Sequence, residues 1–194
     1  MPLMTIFEPF FLLCVLLTVI VLILATIAAL SGRGAQARTR LKWLGISAAV
    51  YMIVVLVVSV ATPRKVYHVG DTQCFDDWCI AVTSATQAPG NAVAVNLRLS
   101  SRAKRIDQSE KGTVVYLVDG AGRRYDPETD AHGVPLDVRL GPGESVDAPR
   151  LFTVRPDARA LGLVYTHEGG FPIGFFIIGE NDWIHGPPIV RLDP

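Results

Sequence analysis

The sequence predicts a membrane-embedded pair of α-helices followed by an all-β antiparallel sandwich. Three observations predict it. Two long uncharged apolar runs open the chain, short runs that alternate apolar and polar residues fill the rest, and the charge changes sign between the two regions. Of the 194 residues, 50% are apolar and 19% charged, with a mean hydropathy of +0.36. That excludes a disordered chain and is too apolar for an ordinary soluble domain. The totals, 18 Lys/Arg against 18 Asp/Glu, give no bias toward nucleic acid. They hide a division. Residues 1–65 carry six bases (Arg33, Arg38, Arg40, Lys42, Arg64, Lys65) against Glu8 alone, a net of +5, and residues 66–194 carry twelve bases against seventeen acids, a net of −5.

The first run, Phe10 to Leu30, has 21 residues without a formal charge. As a helix it covers about 31 Å, the thickness of a hydrocarbon core. The second, Trp43 to Thr62, has 20. Inside hydrocarbon only a helix satisfies its own backbone groups, so both are expected to be helical. A cleaved signal peptide is not expected, because residues 1–9 lack Lys and Arg and the run exceeds an ordinary signal core. Cys14 is preceded by Leu12 and Leu13 rather than by the small residues of a lipoprotein signal. The link from Ser31 to Lys42 carries Arg33, Arg38, Arg40 and Lys42. By the positive-inside bias this loop, 31–42, is expected in the cytoplasm, with contact to anionic headgroups. Both termini and the region after residue 65 are then expected on the periplasmic side of a bacterial inner membrane. Apart from Cys14 no ionisable group interrupts either run, which argues against a transport path or a haem-binding span. Gly45, Ser47, Ala48 and Ala49 open the second run with small side chains. They suit close packing, on the first helix or on another membrane subunit.

Residues 66–194 are expected to form one outer domain. Ala92 to Ser100 alternates strictly, with Val93, Val95, Leu97 and Leu99 on one side and Ala94, Asn96, Arg98 and Ser100 on the other. That period of two is a half-buried strand. Further expected strands are Ile80–Ala85, Thr113–Val118, Asp137–Leu140, Leu151–Val154, Leu161–Thr166, Phe175–Ile178 and Ile189–Leu192. Gly- and Pro-rich turns separate them, as at Ala88-Pro89-Gly90-Asn91 and Gly141-Pro142-Gly143. No soluble helix is expected.

Three segments carry a resemblance: Val118-Asp119-Gly120-Ala121-Gly122-Arg123-Arg124-Tyr125, Leu140-Gly141-Pro142-Gly143-Glu144-Ser145, and Phe152 to Leu161 with its Arg155-Pro156-Asp157 turn. Over about residues 66–166 the chain resembles the immunoglobulin-like β-sandwich domains of bacterial envelope proteins, a group largely of unknown function. The resemblance implies a strand–turn–strand ending in Tyr125, a Pro-Gly turn feeding a strand, and two strands joined by the Pro-Asp turn. It implies no activity. The two-helix anchor and the apolar tail from Phe171 onward depart from it.

Cys74 and Cys79 bracket Phe75-Asp76-Asp77-Trp78. Outside the cytoplasm such a pair is expected to form a structural disulfide, worth about 2 kcal/mol for so small a loop. A redox-active pair is disfavoured by the spacing and by the adjacent acids, and two sulfurs without a nearby His do not make a zinc site. Asp126, Glu128 and Asp130, followed by His132 and Gly133, resemble the start of a calcium loop, but the Gly is misplaced and no bidentate Glu follows. Turn-forming Asp residues account for them. His68, His132, His167 and His185 lack ligand spacing, and Ser145 has no nucleophile elbow. Trp78, Phe171 and Trp183 are the expected contact residues, whereas Phe175–Ile178 is expected in the core.

No catalytic residue, metal or cofactor is expected. The expected role is a non-catalytic accessory subunit, its helices packed on other integral membrane subunits and its sandwich bracing their outer face. A photosynthetic or respiratory complex is the expected host on general grounds, with no residue specific to either. The alternatives are an envelope ligand-binding or sensing module, with a pocket lined by Trp78, Tyr125 or Trp183, and a thiol redox protein using Cys74 and Cys79.

Overall fold

The structure, a computed structural model, describes residues 7–129, 133–167, 176–178 and 182–192, except for the side chains of Phe7, Glu8, Asp182 and Trp183. By its contacts the chain divides into two compact units, Met1–Pro63 with Pro172–Gly186, and Arg64–Phe171 with Pro187–Pro194.

The first unit is built on α1 (Phe7–Leu30) and α2 (Gly34–Ala61), both long and apolar enough to cross a membrane. The turn between them is short because it is closed by hydrogen bonds of the helix end itself. Arg33 N–H donates to Ala28 O at 2.8 Å and Gly32 N–H to Ala29 O at 3.2 Å, with Gly32 at φ +73°. This is a Schellman closure, which needs a left-handed residue where Gly32 stands. The expected twelve-residue loop 31–42 is therefore reduced to Ser31–Arg33. Arg38, Arg40 and Lys42 lie in the first turns of α2, because Ala35-Gln36-Ala37-Arg38-Thr39-Arg40-Leu41-Lys42 contains good helix formers and no breaker.

The less exposed residues of α1 are Phe11, Cys14, Thr18, Val21, Ala25 and Ala28, and those of α2 include Ala37, Arg40, Leu44, Tyr51, Val55 and Val58. Steps of three and four mark the seam of an antiparallel two-helix hairpin. Three alanines (Ala25, Ala28, Ala37) let the helices close near the turn. Gly45, Ser47, Ala48 and Ala49 are all exposed and lie off this seam, so they do not pack α2 on α1. Thr18 and Thr26 return their hydroxyl protons to Cys14 O and Leu22 O one turn back, at 2.8 and 2.9 Å, which leaves neither hydroxyl without a partner.

The expected outer domain ran unbroken from 66 to 194, but the contacts assign Pro172–Gly186 to the helices. Phe176–Ile178 is not a strand, and a one-turn helix, α3 (Asp182–His185), follows it where no helix was expected.

Among the described residues the second unit is a sandwich of nine strands. β1 (Val66–His68), β9 (Ile189–Arg191), β8 (Gly162–His167), β5 (Thr113–Val118) and β6 (Arg124–Tyr125) make one sheet in that spatial order. β2 (Thr72–Phe75), β3 (Trp78–Ala88), β4 (Ala92–Ser101) and β7 (Ser145–Thr153) make the other. All pairings are antiparallel except β1 with β9. In an immunoglobulin constant domain the second and fifth strands are neighbours, whereas here the central pair of the second sheet, β3 and β4, are successive. On β4 the predicted alternation is realised, with Val93, Val95, Leu97 and Leu99 buried. They meet Trp78, Ile80 and Val82 of β3, Val115 and Leu117 of β5, Ala148 and Phe152 of β7, and Leu163 and Tyr165 of β8 in one core.

Several expected strands shift. β7 starts at Ser145, six residues before Leu151, and runs through Pro149. It is an edge strand, where the missing N–H of a proline is tolerated. Asp137–Leu140 forms no strand; only Leu140 bridges, to Gln108, with mutual N–H to C=O bonds of 2.8 Å. Leu97→Ala is expected to destabilise the sandwich by about 2–5 kcal/mol, since Leu97 is fully buried and the cavity cannot fully collapse. Chemical denaturation of the full chain in detergent, followed by the fluorescence of Trp78, measures this.

Candidate functional site

Within the helical unit an apolar groove of about 660 Å³ runs along the hairpin. Cys14, Thr18, Trp43, Ser47, Tyr51 and Phe176 are among its lining residues, so two of the four small residues of α2, Ser47 and Ala48, face it and Gly45 and Ala49 do not. Arg40 stands at the end nearer the turn. Its Nη1 donates to Leu24 O of α1 at 2.6 Å, adding a second proton to a carbonyl within a helix and tying α2 to α1. Tyr51 marks the other end. Its ring lies 6.4 Å from that of Phe10, and its hydroxyl donates to the backbone carbonyl of Phe176. Arg33, Arg38 and Lys42 are exposed at the basic end of the hairpin.

In the sandwich, Cys74 and Cys79 stand directly opposite each other on β2 and β3, bonded with an S–S distance of 2.07 Å. The bond closes the turn at Asp76-Asp77, where Asp76 has φ +51°, a conformation Asp tolerates. Arg102 N–H donates to Asp77 O at 2.7 Å, and Arg102 Nη1 lies 3.6 Å from Cys74 Sγ. Sequence reasoning saw only the acids beside these cysteines; the cation against the sulfur comes from a residue 28 positions away. Trp78, expected as a contact residue, is 1% exposed and belongs to the core. The register that pairs it with Phe75 turns it inward. Phe171 lies outside the described residues, as does the side chain of Trp183.

One polar cluster was missed. Asp119, at the end of β5, is buried. Its carboxylate accepts the N–H groups of Ala121 and Arg123 at 3.0 Å each, Arg123 Nε at 2.6 Å and the Tyr125 hydroxyl at 2.8 Å. Arg123 Nη1 reaches on to Asp157 at 2.9 Å, joining the β5–β6 turn to the Pro-Asp turn between β7 and β8. Burial alone raises the Asp119 pKa, but the bonds from Arg123 N–H, Tyr125 and the Arg123 side chain outweigh it and hold the group at about 2. Arg123 is pushed above its ordinary value, chiefly by Asp157 and Asp119. The signal was in the chain as Asp-Gly-Ala-Gly-Arg-Arg-Tyr, a turn whose first Asp reaches its own loop amides. The cluster is fully engaged and fixes the fold.

Of the calcium-loop residues, Asp126 pairs with Arg124 at 2.7 Å and Glu128 accepts from Thr153 Oγ1 at 2.5 Å; Asp130 and His132 lie outside the described residues. Among the described residues no group of three or more His, Cys, Asp or Glu could hold a metal. His68 pairs with Asp71, and His167 Nε2 lies 2.8 Å from Glu110. His185 caps α2 (below). A cavity of about 410 Å³ opens beside the β3–β4 hairpin, lined by residues that include Gln87, Val93, Arg159 and Leu161. Neither Trp78 nor Tyr125 lines it.

No protein-family model matches the chain, and no curated protein does. Among solved structures it is similar to the yjhA protein of Bacillus subtilis, at 13% identity and a TM-score of 0.42 over 66% of this chain and 99% of that one. It is similar to the secreted protein MPT63 of Mycobacterium tuberculosis, at 11% identity and a TM-score of 0.43 over 68% and 98%. An uncharacterized β-sandwich protein of Clostridium difficile matches at 12% identity and a TM-score of 0.40 over 68% and 97%.

Two expectations follow. The Asp119 carboxyl titrates at about 2 in the folded chain against an ordinary value of 3.8, so the unfolded chain binds more protons between those values. Its stabilisation is complete above about pH 4 and is lost as pH falls through 2. The melting temperature of the sandwich should fall across that window, and Asp119→Asn should lower it at pH 7 while flattening the fall; thermal circular dichroism reads both. Replacing Cys74 and Cys79 by Ser should cost about 2 kcal/mol, read as a lower denaturation midpoint with an unchanged fold.

Proposed function

We propose that the chain is a non-catalytic integral membrane subunit of a bacterial inner membrane. In this reading α1 and α2 span the bilayer, the basic turn faces the cytoplasm, and the sandwich, read as an immunoglobulin-like envelope domain, stands on the periplasmic side. The helices pack on a larger membrane assembly and the sandwich braces its outer face. The observation that carries the reading is the groove along the hairpin. Ser47 and Ala48, small enough for close helix approach, stand on it and off the α1–α2 seam, which suits a further transmembrane helix. The clustering of Arg33, Arg38, Arg40 and Lys42 at the turn supports the direction.

Extraction of the native membrane in mild detergent should yield the chain with stoichiometric integral membrane subunits, and Ala48→Trp should lose them while the sandwich keeps its fold. A monodisperse monomer from the unaltered chain would overturn the reading. Cysteine mapping should find Arg38→Cys protected from an impermeant reagent added to intact cells lacking the outer membrane barrier. Labelling of that position from outside would reverse the assigned direction.

A further inference from the structure

β8 and β9 are antiparallel neighbours, which ordinarily need a loop of about 2–5 residues. Residues 168–188 join them instead. The middle of this connection is Phe-Pro-Ile-Gly-Phe-Phe-Ile-Ile-Gly at 171–179, uncharged throughout, followed by Glu180-Asn181-Asp182. Two contacts place described residues of this connection, Phe176 and His185, on α2. The His185 ring nitrogen Nε2 lies 3.0 Å from Ser59 O and donates to it in the last turn of α2. The Tyr51 hydroxyl donates to Phe176 O.

The spacing of those contacts carries the inference. Ser59 is two residues from the end of α2, about 3 Å along the axis, but Tyr51 is ten residues in, about 15 Å. Tyrosine on a helix leans toward the N-terminus, which sets its hydroxyl no shallower. On the reading that α2 spans a bilayer with a core of about 30 Å, the Phe176 carbonyl lies near half depth. Irregular backbone survives there only where protein satisfies its polar groups, and the Tyr51 hydroxyl does so. The side chains around it divide accordingly: Ile178 is 8% exposed, and Phe176 is 37% exposed.

We infer that the segment around Phe176 is a re-entrant wedge, seated on α2 and inserted into the acyl-chain region of the outer leaflet, with lipid as the occupant against Phe176 when the chain stands apart from its assembly. The inference rests on the spanning reading of α2, and the test separates the two. In a Cys14→Ser background with the disulfide intact, nitroxide labels are placed by Phe176→Cys, by Leu56→Cys on the exposed face of α2, and by Lys104→Cys on the exposed sandwich surface. The full chain is reconstituted in phosphatidylcholine–phosphatidylglycerol vesicles, and collisions with lipid-soluble oxygen are compared with collisions with a water-soluble nickel chelate.

The expected result is an oxygen preference at 176 matching that at 56, with the nickel preference confined to 104. Tyr51→Phe should shift position 176 toward the nickel-accessible value and leave 56 unchanged. Nickel access at 176 with 56 still in lipid would overturn the wedge and leave the spanning helices standing. Nickel access at both would overturn the spanning reading itself. Shielding of 176 from both reagents would overturn lipid as the occupant in favour of protein.

Discussion

The constraint on which the rest of the structure depends is that backbone polar groups must be satisfied where water is excluded. Between Phe7 and Ala61 the chain satisfies its backbone chiefly with helical bonds, and it does so economically at the turn. The Schellman bonds of Gly32 and Arg33 close the end of α1 with its own last carbonyls, and α2 begins at once. The hydroxyls of Thr18 and Thr26 bond back within their helix. What is left outward is almost purely aliphatic: Leu12, Leu16, Ile23 and Ile27 on α1, Ile53, Val57 and Val60 on α2, all exposed. A surface of that extent in water would drive association.

The sandwich solves the same problem with ladders between strands, and its polar side chains act where a ladder ends. Asp119 takes over the amides of the β5–β6 turn. At the β2–β3 turn the backbone N–H of Arg102, not its side chain, answers the carbonyl of Asp77, and in the Pro-Gly turn the Glu144 carboxylate accepts from Gly141 N–H at 2.7 Å. Each of these groups is a turn amide or carbonyl with a dedicated partner, and Asp119 is the buried charge among the described residues that serves in this way.

Legibility followed the same line. The two long helices, the β4 alternation and the extent of β5 were plain, the helices from unbroken apolar runs and the strands from a period of two. β1 and β2 were not, since Val66-Tyr67-His68 and Thr72-Gln73-Cys74-Phe75 are too short to show a period and exist because neighbours pair with them; β6, Arg124-Tyr125, was expected through the family resemblance and not through any period. The basic loop was misjudged for a related reason: charge ends an apolar run but does not end a helix, and only Gly32 does that. Trp78 was assigned outward by residue type, although its register with Phe75 decides its face. The segment at Phe176 could not be placed by any local pattern, because an apolar stretch of that length suits a buried strand equally well, and its actual partner, Tyr51, lies 125 residues away.

The route of the tail is itself informative about cost. A long insertion between paired strands loses conformational entropy when its ends are brought together, but that loss grows only slowly with length. The return is fixed within the sandwich unit by bonds beside its own entry: Arg64 Nε donates to Pro187 O at 2.8 Å, and Ile189 N–H to Lys65 O at 3.2 Å. β1 then lies parallel to β9, the one parallel pairing among the described strands. The chain thus passes between its two units three times, at 63–64, 171–172 and 186–187, and the first and third passages start from hydrogen-bonded neighbours. A hairpin loop of ordinary length would have closed β8 on β9 within the sandwich. Of the added residues, Phe176 and His185 are instead bonded to α2.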